Sequence, residues 1–252
     1  RSADDYHNYV AGIDARYRLS QSNAIKAQLL NSNTLYSDDL ISNEIIANTK
    51  QNNTSFNDRA FKLNFNHNSE YWLLDLAHQN IGADFRADLG YMPKTDIKTN
   101  QALLQRSFYS AQDSFWQEAG LSGKWKIAHN LNNELIEREL TASFTIDGPL
   151  QSVFELDLIH GERVGLRYDE SIADIDGNTS SFNEDQLKIY TSAYLNNRTF
   201  VSLDLTLGDK IDYSNDRLGD LIEATANITV FVTDHLEFDF YQTYSELNAK
   251  NN

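Results

Sequence analysis

The sequence predicts an all-β fold, an antiparallel up-and-down transmembrane β-barrel, and three observations carry that reading. Apolar residues recur at every second position through segment after segment, the period of a strand with one apolar and one polar face. The segments run about ten to fourteen residues, long against the five or six usual in soluble sheets and close to what a tilted strand needs to cross a bilayer. Short turns and long polar loops take turns along the chain, as in a meander with one turn side and one loop side.

The first strand is read at 8–20, where Tyr9, Ala11, Ile13, Ala15, Tyr17 and Leu19 form one row and Asn8, Val10, Gly12, Asp14, Arg16 and Arg18 the other. A second follows at 24–33. A third at 56–66 sets Phe61, Leu63 and Phe65 against Lys62, Asn64 and Asn66. The fourth, at 70–79, holds the apolar run Tyr71 to Leu74 and then Asp75, and the fifth, at 103–111, is the weakest because Arg106 interrupts its apolar row. The sixth, at 115–128, carries Phe115 and Trp125 near its ends. The seventh, at 134–146, alternates Leu140, Ala142, Phe144 and Ile146 with Thr141, Ser143 and Thr145. Strands at 151–160 and 185–195 lead to one at 198–208, with Val201, Leu203, Leu205 and Leu207 against Ser202, Asp204, Thr206 and Gly208. The last two are read at 219–232 and 236–247, the former from Ile222, Ala224, Ala226, Ile228, Val230 and Val232 and the latter from Leu236, Phe238 and Phe240.

Turns rich in Asn, Asp and Ser are expected at 20–23, 66–69, 111–114, 147–150, 196–197 and 233–235, and long polar loops at 34–55, 80–102, 161–184 and 209–218, with one brief exception at 129–133. The parity places both ends of the segment on the loop side. Bacterial barrels usually begin and end on the turn side, so the expectation is one domain over 1–252 that belongs to a parent barrel of about fourteen strands or more.

Composition narrows the function. A net charge of −16 and a pI near 4.6 repel phosphate, which excludes a nucleic-acid partner. The chain has no cysteine, so it forms no disulfide and no thiolate metal site. No run of 18 apolar residues exists, which excludes a transmembrane helix but not a barrel, whose apolar band is hidden in alternation.

The rows opposite the apolar ones are rich in charge and are read as lumen-lining: Arg16, Arg18, Lys62, Asp75, Glu118, Lys124, Lys126, Glu155, Asp157, Lys188, Asp204, Glu223, Glu237 and Asp239. Aromatics at the ends of the apolar rows fit a membrane-interface girdle. No catalytic residue, cofactor or metal is predicted. Asp174, Asp176 and Asn178 imitate part of a calcium loop with Asp185, but Thr179 stands where such a loop wants glycine, so a solvated acidic loop is the preferred reading. The six histidines lack ligand or triad spacing, and there is no Gly-x-Ser-x-Gly. Glu155 with Asp157, and Glu237 with Asp239, fall about 7 Å apart along one strand face, a glycosidase-like separation that solvated lumen carboxylates also produce. A barrel-embedded hydrolase with a Ser–His pair on its outer wall is the third functional reading.

The stretch Asn8 to Asp14, the strand Tyr71 to Ala77 and above all Ile81 to Asp96 resemble a family of bacterial outer-membrane barrels of uncharacterised function. In that family the barrel follows a domain similar to family-nine carbohydrate-binding modules. Its signature is matched by Phe85, Asp88, Gly90, Tyr91, Pro93, Lys94 and Asp96, with Lys94 in place of the usual Arg, which removes a bidentate carboxylate grip. The resemblance implies an outer-membrane location with lipid around the barrel. Physically the motif is a turn-rich segment in which Gly90 can supply a positive φ and Asp84, Arg86, Asp88, Lys94 and Asp96 can pair among themselves; it is read either as a self-pinned loop or as a constriction folded into the lumen. The leading functional expectation is a pore for small hydrophilic solutes, among them glycans. The alternative is an anchor or partner of another envelope protein with a plugged lumen.

Overall fold

A computed structural model describes residues 6–36, 55–90, 94–111, 114–165 and 180–250. Twelve strands form: β1 (His7–Arg18), β2 (Asn23–Leu35), β3 (Ser55–Asn68), β4 (Trp72–Ile81), β5 (Ile97–Tyr109), β6 (Glu118–His129), β7 (Leu135–Asp147), β8 (Val153–Val164), β9 (Ser181–Asn196), β10 (Thr199–Asp212), β11 (Arg217–Thr233) and β12 (Leu236–Ala249). They make one sheet in the order of the sequence, from β1 at one end to β12 at the other. The all-β, antiparallel, up-and-down fold expected from the alternation is therefore present, and β1 and β12 each have one paired neighbour among the described residues.

Backbone packing gathers the chain into two compact units, one spanning 1–67, 75–100 and 128–134 and the other 68–74, 101–127 and 135–252. In the first, β1 pairs with β2 from His7↔Leu35 to Arg18↔Ala24, and β2 with β3 from Asn23↔His67 to Leu35↔Ser55. In the second, β7 through β12 pair in succession; the ladder Thr145↔Glu155↔Tyr190↔Asp204↔Thr225↔Thr243 crosses all six strands on one face.

Each unit leaves much of its apolar row exposed and buries part of its polar row. In the first, Tyr9, Ile13 and Tyr17 are 66%, 71% and 68% exposed, whereas Ser32 and Thr34 are fully buried. In the second, Leu140 and Leu158 are 55% and 56% exposed, against 5% for both Glu137 and Glu184. Leu203 and Ile228 are exposed in the same sense, while Leu205 and Ala226 on that row are half-buried. This is the reverse of a water-soluble sheet, whose apolar face packs against a core.

All twelve predicted strands exist, with ends displaced where packing overrides local pattern. Strand β5 begins at Ile97 rather than 103, and Arg106, which made it look weak, lies over the rings of Tyr71, Trp72 and Phe108 at 4.8, 5.0 and 5.4 Å. The cation is thus accommodated on aromatic faces rather than breaking the row. Strand β6 starts at Glu118, which leaves Phe115 in the preceding turn. The predicted loop 209–218 is mostly strand: β10 and β11 continue pairing through Ile211↔Leu218 and Asp212↔Arg217, and a single short turn at Tyr213–Asn215 joins them. Ile211, only 3% exposed, explains the extension. The predicted loop 80–102 likewise shrinks to 82–96. Much of loops 34–55 and 161–184, with the acidic stretch of Asp174, Asp176 and Asn178, lies outside the described residues.

Gly208 adopts φ +132°, and a Cβ there would meet the Asp185 carbonyl oxygen at 2.0 Å. Gly208→Ala should therefore lower stability by about 1–3 kcal/mol, the usual cost of such backbone strain, measured by equilibrium unfolding in detergent. An unchanged midpoint would show that β9 yields there without cost.

Candidate functional site

The polar row is a continuous face in each unit. In the first unit Arg16, Arg18 and Lys62 are exposed, and the half-buried Asp75 accepts hydrogen bonds from Asn64 Nδ2 at 2.8 Å and Asn66 Nδ2 at 3.4 Å. In the second, strand pairing sets Asp157 opposite Lys188, and Glu155 two ladder steps from Asp204. Thr229 donates to Asp239 at 2.5 Å and Ser245 to Glu223 at 3.4 Å. Glu118 is half-buried at the start of β6, Lys124 is exposed farther along it, and Glu237 is exposed on β12. These side chains share the polar face of their strands without converging on one reactive centre.

Beside the predicted Lys126 lies a denser group whose other members were missed. Arg163 lies against three carboxylates, reaching Glu139 Oε2 at 2.7 Å and Glu137 Oε2 at 3.6 Å and pairing with Glu184, while Lys126 pairs with Glu137. The other oxygen of Glu184 accepts the backbone N–H of Ile211 at 3.0 Å. These side chains are well covered, Arg163 being 16% exposed, so the acids are held by charge-assisted bonds that water does not screen. Glu137 and Glu139 continue the Thr141, Ser143, Thr145 row toward the chain's amino end; that parity was the available signal. Arg163 gave none, because it sat in a stretch read as loop.

The motif segment is the most structured feature. After β4 the chain folds back across the polar row of β1–β3. Phe85 is 3% exposed there, and Phe56 of β3 1%. The Arg86 backbone N–H donates to Ser32 Oγ at 3.1 Å, and its guanidinium lies 4.5 Å over the Phe56 ring while donating to the carbonyls of Ala83 and Phe85. The Asp84 N–H donates to Asp58 Oδ2 at 3.1 Å. Gly82 permits this, since a Cβ would lie 2.0 Å from the Asp58 carboxyl. Asn8 bridges, donating from Nδ2 to Thr34 Oγ1 and the Arg86 carbonyl and accepting from the Asp88 N–H.

Asp88 closes the arrangement. Tyr6 and Tyr36 each donate to one of its carboxylate oxygens at 2.8 Å, their rings stacked 5.9 Å apart. The Tyr36 hydroxyl is pushed far above its ordinary value, first by burial and then by the Asp88 hydrogen bond; Tyr6 rises chiefly through that same bond. The contacts that pin the segment therefore run to Asn8, Ser32 and Asp58 of β1–β3, to Tyr6 and Tyr36 at the strand margins, and within the segment itself. Arg86 turns to carbonyls and a ring, Asp88 to tyrosines, and Asp96 accepts from the Leu131 N–H at 3.0 Å. Positive φ occurs at Asp96, at 55°, and not at Gly90. Tyr91 and Pro93 lie outside the described residues.

On the exposed apolar face, His160 Nδ1 and Asp185 Oδ1 are 2.6 Å apart. The adjoining groove is lined by Leu140, Leu158, Leu187, Leu207 and Gly208 and offers no hydroxyl to serve as a nucleophile. Among the described residues no group of three or more His, Asp or Glu side chains is placed to hold a metal ion. A scan against protein-family models finds no match, and neither do searches of curated proteins and of solved structures.

Proposed function

We propose that this chain is wall of an outer-membrane β-barrel whose polar face borders a path for small hydrophilic solutes. The observation that supports it best is the exposed apolar row, with Tyr9, Ile13, Tyr17, Leu140, Leu158 and Leu203 open to the surroundings on a sheet whose other face carries the charges. An exposed apolar band many residues wide is unfavourable in water by about 25 cal/mol per Å² and matches a lipid environment instead. The polar row mixes Arg16, Lys62 and Lys188 with Glu155, Asp204 and Glu223, which suits hydrated solutes, glycans included, rather than an apolar ligand.

Two measurements test this. The protein should fractionate with outer membranes and stay there until detergent is added. In planar bilayers the parent protein should open discrete conductance steps, and the Glu155→Gln, Asp157→Asn, Asp204→Asn triple variant should lower its cation-to-anion preference severalfold, because those carboxylates share one face of β8 and β10. Silent bilayers would sink the pore. The segment laid over β1–β3 favours the second reading, an anchor with an obstructed lumen that serves another envelope protein, and a silent barrel recovered with such a partner would establish it.

A further inference from the structure

The segment 82–90 is held in two ways of unequal strength. Phe85 is a buried pin, whereas Asp88, which gathers the Tyr6 and Tyr36 hydroxyls, is exposed to solvent, as are Leu89 and Gly90 beyond it. Hydrogen bonds open to water are individually weak. Here they converge on one carboxylate, and each tyrosine stands at the margin of a strand, Tyr6 just before β1 and Tyr36 just after β2. Beneath the segment, Ser32 and Thr34 are fully covered although they belong to the same polar row as the exposed Arg16.

We propose that residues 82–90 form a strap across the polar face of β1–β3, that Asp88 is its latch, and that parting Asp88 from Tyr6 and Tyr36 uncovers Ser32 and widens the solute path. The latch regulates the face assigned above and so rests on the pore reading for the second half of its consequence, not the first.

The cysteine-free chain permits a direct test. Ser32→Cys places one thiol under the strap and preserves the shape of the side chain there. In the full-length protein in lipid, a water-soluble maleimide should label that thiol slowly, and adding Asp88→Ala should speed labelling about tenfold, the equivalent of roughly 1.4 kcal/mol of released strap. Tyr6→Phe with Tyr36→Phe, which keeps both rings and the carboxylate, should do the same and serves if Asp88→Ala fails to assemble. Conductance should rise in the same variants. Labelling unchanged by both variants would overturn the latch. Faster labelling with unaltered conductance steps would overturn the widening of the path. Faster labelling in a barrel that never conducts would overturn the pore reading and uphold the latch.

Discussion

Replacing Leu205 by Arg should destabilise the assembled protein in lipid by about 2–4 kcal/mol, a shift of roughly 30- to 1000-fold in the folding equilibrium. Leu205 lies on the apolar row, paired with Ile189 and Ala224 of the neighbouring strands. On the proposed lipid-facing row, an arginine there would enter hydrocarbon or drag water with it. The adjacent Asp204 points the other way, is already charged and exposed, and its replacement by Asn should cost little. Reversible urea unfolding from vesicles measures both. Equal tolerance at the two positions would place the apolar row in water and remove the membrane from the proposal.

Arg163→Met should be at least as damaging for a different reason, about 3–5 kcal/mol. Removing the guanidinium leaves Glu137, Glu139 and Glu184 facing one another, with Lys126 the cation paired to them among the described residues. The loss is therefore mostly repulsion and unmet desolvation among the acids rather than the forfeited attraction. Adding Glu184→Gln to Arg163→Met should recover part of the stability, since the amide can still accept the Ile211 N–H. If the double variant is less stable than the single one, the carboxylates are not the source of the penalty.

The strand order was legible because a two-residue period is imposed by geometry: every residue that changes parity changes face, so rows such as Tyr9, Ile13, Tyr17 announce themselves. Strand ends were less so. The pairs Ile211↔Leu218 and Asp212↔Arg217 read as loop since polar residues surround one isoleucine, and only the burial of that side chain makes extension favourable. Charge positions on the polar row could be assigned by counting, but which charges meet could not. Arg163 bonds to residues 24 and 21 positions away, a distance in sequence over which no pattern speaks. The strap lay between these cases. Its turn-forming residues marked it as special, while its true partners, Asn8, Ser32 and Asp58, are ordinary polar residues of an alternating strand whose importance comes only from what folds over them.

The strap also dictates an order of events. Every strand pairs with its neighbour in sequence, so hairpins can add one at a time with small loop-closure cost. The Tyr6–Asp88 contact instead spans 82 residues and needs the ends of β1 and β2 in place before it can form. Hydrogen-exchange protection at Asp84 and Arg86, whose N–H groups bond to Asp58 and Ser32, should thus appear last in the first unit during refolding, after the β1–β2 and β2–β3 ladders are already closed. The chain lays its strands down first and fastens across them afterwards.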